Sequence, residues 1–342
     1  MKFTFLHTID KAYAGIAIVM STLSILSCVI IIAVLTSCKS LRTNGRTLLI
    51  CLTVANFVSC VGSIVAAGVS VFTPELTWSN FPVCAAASAI SIVSNVCAYL
   101  WTCAISLYVY LCISWKKETL ADKLRGVFHL VCWGFPVAVM VIATASDVIG
   151  FNFGKAKVER RPPWCWIDRE TEKFEMWELV TGLGWRIATI VICTALYSFV
   201  QFSLSVQQGK PDEEQMNEFE EVLTLRTQKA NRKLRHIPLI FVVLNAWGAW
   251  QEMASALSTT ASWLVLMQVI GDHSQAFVNV ILLCFLSKDV RTKLTIKCQS
   301  IRHLFSKKTS GLRPLELEEL RSDSNQLMEE IELNEENDQV QG

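Results

Sequence analysis

The sequence between residues 82 and 115 reads PVCAAASAISIVSNVCAYLWTCAISLYVYLCISW and contains no charged residue. A helix of about 20 apolar residues is long enough to cross the hydrocarbon core of a bilayer. This stretch is therefore predicted to be a membrane-spanning helix. Residues 12–38 and 47–72 are also uncharged and long enough to span, so residues 12–115 are predicted to contain three spans.

Four further apolar stretches follow, at residues 126–148, 177–206, 236–257 and 262–287. The chain is 52% hydrophobic and 18% charged, and the charges cluster between the apolar stretches. This composition is typical of an integral membrane protein. We predict an all-α membrane protein, a seven-transmembrane helix bundle whose transmembrane domain, with a following surface helix, occupies residues 12–308. The spans are numbered 1 to 7 in chain order.

The distribution of Lys and Arg predicts the orientation, because cytoplasmic loops of membrane proteins are enriched in these residues. With the amino terminus outside, the inner loops and the chain up to residue 308 carry 20 Lys and Arg, and the outer segments carry eight. Residues 1–11 are then predicted to be extracellular and the carboxyl terminus cytoplasmic. Six of the eight outer Lys and Arg lie within residues 155–173, which departs from the rule.

The chain beyond span 7 has a basic and an acidic part. Residues 288–308 contain seven Lys and Arg, and their apolar residues recur at steps of three and four. This pattern predicts an amphipathic helix at residues 288–306 on the anionic lipids of the inner leaflet. Cys298 lies on its apolar face and is a candidate for palmitoylation, with an unmodified thiol as the alternative. Residues 309–342 are acidic and are predicted to form a disordered cytoplasmic tail.

Polar residues recur at steps of three and four in spans 3, 6 and 7. A polar side chain is unfavourable where it faces lipid, so such a stripe indicates the side of a helix that faces protein or water. We predict that the three stripes line one cavity open to the outside. Interhelical hydrogen bonds that only fix packing are the alternative. The stripes include Ser91, Asn95 and Tyr99 in span 3, Asn245, Gly248 and Glu252 in span 6, and Gln268, Asp272 and Gln275 in span 7.

Arg186 is the only Lys or Arg inside any predicted span. An unpaired cation in the hydrocarbon region is unfavourable by several kcal/mol. Arg186 is therefore expected to pair with a carboxylate, which Glu252 or Asp272 could supply. The three residues are predicted to form a structural ion pair, to contact a ligand, or to do both.

Two cysteines are predicted to lie outside the cell, Cys84 at the outer end of span 3 and Cys165 in the connection between spans 4 and 5. Disulfides persist on the oxidising side of a membrane. We predict a disulfide between them that holds the connection over the cavity, with two free thiols as the alternative. Trp164, Trp166 and Asp168 flank Cys165 and are predicted to contribute to the ligand pocket.

The same connection is basic in its first half, with Lys155, Lys157, Arg160 and Arg161, and acidic in its second half. One interpretation is a funnel that attracts an anionic ligand. The other is a solvated loop whose charges compensate one another.

Several motifs resemble those of a known family. They are WTCAISLY at residues 101–108, WGFP at 133–136, WCWID at 164–168 and HIPLIF at 236–241. Together they resemble the slime-mould cyclic-AMP-receptor-like family of G-protein-coupled receptors, from about span 2 to span 7. The resemblance implies a plasma-membrane receptor with agonist-driven coupling to a heterotrimeric G protein. It does not imply cyclic AMP as the ligand, because the binding residues of one branch need not occur in another.

Two departures disfavour the rhodopsin-like family. Its Asp-Arg-Tyr motif after span 3 is replaced by ISWK at residues 113–116, and its Asn-Pro-x-x-Tyr motif in span 7 by NVIL at residues 279–282.

The inner ends of spans 3 and 6 are predicted to face the G protein. Basic residues are expected there from the orientation rule alone, so they indicate this role only weakly. Pro238, near the inner end of span 6, is either a bending point or a helix-start residue. The residues predicted to face the G protein are Leu111, Ile113, Lys116, Lys117, Arg232, Lys233 and Arg235.

A transporter or channel is the main alternative, because polar stripes could also line a permeation path. The sequence lacks the paired Gly/Pro-interrupted spans of broken-helix transporters, and residues 257–287 contain no Lys for retinal. His129, His236 and His273 lie in different spans, which argues against a metal site. We predict a receptor for an extracellular small-molecule ligand, which would be anionic under the funnel interpretation, in contact with membrane lipids and without a catalytic site, cofactor, metal or nucleic-acid partner.

Overall fold

The computed structural model describes residues 2–37, 44–72, 81–146, 149–150, 166–167, 173–207, 235–256 and 261–286. Nearly all of these residues are helical. The helices are α1 (Lys2–Ser37), α2 (Asn44–Phe72), α3 (Phe81–Ile113), the short α4 (Glu118–Lys123), α5 (Arg125–Ala145), α6 (residues 174–207), α7 (His236–Ala256) and α8 (Ser262–Leu286).

The seven long helices confirm the predicted seven-helix bundle, and each overlaps one predicted span. By length and apolarity, five of the described helices could cross a membrane: α1, α2, α3, α5 and α6. At 1.5 Å per residue, α7 and α8, with 21 and 25 residues, are also long enough for a hydrocarbon core of about 30 Å. The orientation stays a prediction.

The largest difference from the predicted boundaries is at the amino terminus. The apolar stretch begins at residue 12, whereas α1 begins at Lys2. Hydropathy marks the part of a helix that lipid can surround, and a helix can continue beyond it. The predicted surface helix at 288–306 and the tail at 309–342 lie outside the described residues.

The chain divides into two compact units, residues 1–32 with 43–280 and residues 33–42 with 281–342. Of the second unit, the described residues are 33–37 and 281–286. The contacts reported below all lie within the first unit.

Helix α3 is the centre of the first unit. In its apolar window 78% of the residues are buried, against 22–50% in the other four apolar helices. It packs on α2, α5, α6 and α7. The approach to α2 is close because position 62 is a glycine: a Cβ there would overlap Ser91 Oγ and lie 2.9 Å from the carbonyl oxygen of Ala87.

Two of the long helices contain a wide, π-helical turn. In α5 the turn is Leu130–Gly134, followed by the helical segment Phe135–Ala145. In α6 it is Leu179–Leu183, between the segments Phe174–Glu178 and Gly184–Gln207. The N–H of Gly184 donates to the carbonyl oxygen of Leu179, and a Cβ on Gly184 would lie 2.6 Å from that oxygen. Glycine therefore permits this turn.

A short antiparallel pair joins the two ends of the connection between α5 and α6. Strand β1 (Ile149–Gly150) pairs with β2 (Trp166–Ile167), with Ile149 opposite Ile167. Strand β1 also contacts α3. The backbone around residue 166 is therefore held next to the end of α5 and close to α3.

Candidate functional site

Arg186 lies in the core of the bundle, on the segment of α6 that follows the wide turn. It is 5% exposed. Its Nη1 donates to Asp272 Oδ1 at 2.7 Å and its Nη2 to Asp272 Oδ2 at 3.0 Å. This paired geometry is the strongest arrangement of a guanidinium and a carboxylate. It joins α6 to α8.

Glu252 on α7 is the second carboxylate at Arg186. Its Oε1 lies 3.3 Å from Arg186 Nη2 and accepts a long hydrogen bond of 3.4 Å from Gln268 Nε2. Among the described residues, Glu252 Oε2 and Arg186 Nε have no hydrogen-bond partner, although both atoms are buried. Both candidate carboxylate partners of Arg186 are therefore in contact with it, and Glu252 Oε2 has no partner among the described residues.

Gly248 makes room for the guanidinium. A Cβ at position 248 would overlap Arg186 Nη1 and lie 2.7 Å from Cζ and 3.2 Å from Asp272 Oδ1. Gly248 is one turn before Glu252 on α7, so the guanidinium rests on bare backbone between the two carboxylates. The sequence placed Gly248 in a polar stripe, and the structure shows the reason for a glycine there.

Tyr99 brings α3 into the cluster. The centroid of its ring lies 5.7 Å from Arg186 Cζ, a cation–π distance. The same ring packs edge-on against Phe241 of α7 at 5.4 Å. We call Tyr99, Arg186, Glu252 and Asp272 the ionic cluster. Its members come from α3, α6, α7 and α8, and all four were predicted to line the pocket.

Two other predicted pocket residues turn towards α2. Asn95 Oδ1 accepts a hydrogen bond of 2.6 Å from Ser59 Oγ. Ser91 lies against Gly62, and its buried Oγ has no hydrogen-bond partner among the described residues. For Asn95, the contact is the interhelical hydrogen bond that the packing interpretation predicts.

The side chains predicted to lie outside the cell, in and near the connection between α5 and α6, are not described. Trp164, Cys165 and Asp168 are not described. Trp166 is described only as backbone in β2, and Cys84 only as backbone in α3. The Cys84–Cys165 disulfide and the three pocket residues of this connection stay predictions.

At the predicted inner end of α3 the structure separates the predicted G-protein-facing residues into two groups. Leu111 and Ile113 are buried, at 5% and 6% exposure, so they could meet a partner only after the helices move. Lys116 and Lys117 are exposed, and Lys117 Nζ lies 5.4 Å from the centroid of the Trp115 ring. Arg232 and Lys233, like Cys298, lie outside the described residues.

Pro238 lies in the first turn of α7, which begins at His236. The N–H groups of a first turn have no acceptor within the helix, so a proline there removes no helical hydrogen bond. The helix-start interpretation is therefore favoured over the bending point. Pro238 and Arg235 line a cavity of about 10 Å³ between α3, α6 and α7, with Ser106, Val109, Leu196, Tyr197 and Val200.

Helix α4 contacts α3 through one of its acidic residues, Asp122. Tyr108 Oη donates to Asp122 Oδ1 at 3.4 Å. Burial and the like charge of Asp122 raise the pKa of Glu118 above its ordinary value. The sequence analysis did not predict this helix, because six residues are too few for a periodic pattern.

Two of the motifs that carry the family resemblance meet in the core. The Trp101 ring is fully buried and packs edge-on against His129 at 5.0 Å and Trp133 at 5.8 Å. Trp101 belongs to the motif of α3 and Trp133 to the motif of α5. Their side chains fix how these two helices pack.

Comparisons with known proteins agree with this arrangement. Residues 4–222 match the family described as slime mold cyclic AMP receptor. G-protein coupled receptor 157 of Homo sapiens is 30% identical over 263 residues, 75% of this chain and 76% of the relative. Cyclic AMP receptor 1 of Dictyostelium discoideum is 23% identical over 190 residues, 55% of this chain and 45% of the relative.

A solved structure shows the same fold. Squid rhodopsin superimposes with a TM-score of 0.63 and covers 93% of this chain and 91% of its own, at 13% sequence identity. The similarity is to the seven-helix fold alone, because so low an identity transfers no binding residue. Since the family match extends over residues 4–222 of the 342, the chain belongs to the slime mold cyclic AMP receptor family and is a multi-pass membrane receptor of the G-protein-coupled class.

Proposed function

We propose that this receptor binds a small-molecule ligand at the outer side of the plasma membrane and activates a heterotrimeric G protein at the inner side. The observation that carries the proposal is the ionic cluster. It connects α3, α6, α7 and α8 through buried charges. A ligand that altered these pairings would act on four helices at once.

The physical requirement for signalling is a difference in affinity. A ligand shifts a two-state equilibrium only if it binds one arrangement of the helices better than the other. Glu252 shares Arg186 with Asp272 and has one unpartnered oxygen, so its pairing is the weaker of the two. We expect ligand contact at Glu252 to change the distance between α7 and α6.

The inner half of the bundle supplies the response. The small cavity between α3, α6 and α7 is lined mainly by apolar side chains. We expect an outward movement of α7 to widen this cavity and to expose Leu111 and Ile113 to the G protein. Lys116, Lys117, Arg232, Lys233 and Arg235 form the proposed basic rim around the opening.

The outer connection completes the proposal. A Cys84–Cys165 disulfide would hold Trp164, Trp166 and Asp168 over the cluster. Ser91 and Asn95 lie on α3 between its predicted outer end and Tyr99, on the side that faces α2. The amphipathic helix at 288–306, with Cys298 as a lipidation site, would bind inner-leaflet lipids. Cyclic AMP is not proposed as the ligand. The Arg186 guanidinium could bind a phosphate, but its Nη1 and Nη2 both already donate to Asp272.

Nucleotide exchange on a G protein tests the proposal. The full chain, reconstituted in lipid nanodiscs with purified heterotrimers of each G-protein class, is expected to accelerate exchange on at least one of them. Arg186→Gln is expected to change that rate, whereas Arg125→Gln, whose guanidinium binds Asn44 on the exposed surface, is expected to leave it unchanged. Solute flux in proteoliposomes without an effect on any G protein would identify the chain as a transporter or channel instead.

A further inference from the structure

The ionic cluster carries more negative than positive charge. Arg186 is one cation, and Asp272 and Glu252 are two carboxylates, with their nearest oxygens 2.7 Å and 3.3 Å from the guanidinium. The formal charge of the triad is therefore −1, in a region where charges are poorly solvated.

The excess charge has a definite position. Asp272 uses both of its oxygens on the guanidinium, whereas Glu252 uses only Oε1. Glu252 Oε2 is buried and has no hydrogen-bond partner among the described residues. A buried carboxylate oxygen without a donor is unfavourable, so the site lacks one donor, and a donor of positive charge would also balance the triad.

Glu252 lies near the end of α7, and the two carboxylate side chains are only partly buried. Glu252 is four residues before Ala256, where α7 ends, which corresponds to about 6 Å along the axis. The side chains of Glu252 and Asp272 are 12% and 19% exposed. Glu252 is therefore close to the described end of α7, whereas Asp272 lies ten residues, or about 15 Å, from the start of α8 at Ser262.

A divalent metal does not suit the site. Divalent ions such as Ca²⁺ take six or more oxygen ligands, whereas Asp272 already uses both of its oxygens on Arg186 and Glu252 Oε2 alone has no partner among the described residues. One carboxylate oxygen and a single excess charge match a monovalent cation instead.

We propose that Glu252 Oε2 binds a monovalent cation, either the ammonium group of an organic amine ligand or a sodium ion. For the amine, the inference rests on the proposed receptor function and names the class of its ligand. It differs from the expectation drawn from the basic half of the outer connection, which favours an anion. The outer connection would act on a ligand's approach, whereas Glu252 binds the group that enters the cluster.

Thermal unfolding of the full chain in nanodiscs of zwitterionic lipid tests the cation site. The midpoint is measured while choline chloride, whose quaternary ammonium has no N–H donor, is exchanged at constant ionic strength for sodium chloride, methylammonium chloride or 2-phenylethylammonium chloride. Choline benzoate is the anionic probe. A saturable rise of the midpoint is expected with sodium or with the primary ammonium ions, and none with benzoate.

Two variants locate the site. Glu252→Gln keeps the shape and removes the charge, and it is expected to raise the concentration needed for half of the shift at least tenfold. Glu118→Gln, on the inner helix α4, is the matched control and is expected to leave that concentration unchanged. A response to sodium alone supports an inorganic occupant, and a response to ammonium ions alone supports an amine ligand.

Three results would overturn the cation site: no shift with any of the cations, the same shift in Glu252→Gln, or a shift with benzoate. The wild-type comparison of cations with benzoate decides the matter even if Glu252→Gln does not fold. Nucleotide exchange measured in the same nanodiscs separates this proposal from the receptor proposal. Exchange without a cation shift removes only the cation site, and a cation shift without exchange on any G protein removes only the coupling.

Discussion

Gly248 of α7 lies directly against the guanidinium of Arg186 from α6, so closely that a Cβ at position 248 would overlap Nη1. The guanidinium occupies the space that any other side chain at 248 would need. The pairing of Arg186 with Asp272 therefore depends on a residue that contributes no charge and no hydrogen-bonding side chain.

Gly248→Ala is expected to push the guanidinium away from Asp272. Breaking a buried ion pair typically lowers the free energy of unfolding by about 3–5 kcal/mol, and we expect a loss on the order of 3 kcal/mol in denaturant unfolding in nanodiscs. Gly68→Ala on α2, where a Cβ meets nothing within 4 Å, is the control and should change stability by about 0.5 kcal/mol or less. Equal losses for the two variants would show that Gly248 has no special role.

Arg186 and Asp272 are expected to be strongly coupled in a double-mutant cycle. Arg186→Met and Asp272→Asn should each destabilise the fold, and the double variant should lose about 2 kcal/mol less than the sum, because neither partner is then left alone. Arg125 and Asn44, which form an exposed hydrogen bond of 2.9 Å, provide the matched pair. Their coupling should be below about 0.5 kcal/mol.

Ser59→Ala is expected to affect packing and not ligand response. It removes the donor to Asn95 Oδ1 between α2 and α3, and interhelical hydrogen bonds in membranes are worth about 0.6 kcal/mol on average. Ser27→Ala, whose hydroxyl bonds within its own helix to the carbonyl oxygen of Leu23, is the control. If Ser59→Ala altered the G-protein exchange rate as much as Glu252→Gln, Asn95 would have to be returned to the ligand pocket.

Glu118 is expected to make the fold less stable as the pH rises. Burial and Asp122 raise its pKa in the folded chain, so the folded state binds the proton more tightly than the unfolded state does. Stability should therefore fall as the pH rises from the ordinary carboxyl pKa through the raised one. Unfolding midpoints measured across that range should show a smaller decrease for Glu118→Gln, and identical pH profiles would contradict the assignment.

Three exposed tryptophans are expected to mark a boundary between lipid and water. Trp247, Trp250 and Trp263 are 36%, 55% and 51% exposed, with ring centroids 6.0–6.5 Å apart. Tryptophan concentrates at headgroup level in membrane proteins. Quenching of fluorescence by lipids brominated near the headgroup should decrease when all three become Phe. A decrease seen only with lipids brominated near the chain ends would place the trio in the membrane interior.

The sequence was sufficient to predict the seven long helices and the partners of Arg186. Long uncharged stretches can hardly form anything but spanning helices, and a buried guanidinium needs a carboxylate, of which spans 6 and 7 each offered one.

Which neighbour a polar face meets could not be predicted in this way. The periodicity turns Ser91 and Asn95 inward, but their contact with α2 depends on the room that Gly62 leaves and on the position of Ser59 one turn earlier. The burial of a residue near a helix end could not be predicted from the sequence either. Leu111 and Ile113 lie at the last turn of α3 and are nevertheless buried, because the packing of the adjacent helices decides exposure there.

The wide turn of α6 changes the direction of the side chains on its two sides. A π-helical turn contains one residue more than an α-helical turn, so the side chains before it and after it are out of phase by about 100°. The side chains of Phe174–Glu178 and those of the segment that carries Arg186 therefore face different sides of the helix from those they would face in a regular α-helix. Deleting a single residue from the wide turn would rotate Phe174–Glu178 by about 100° about the helix axis relative to Arg186.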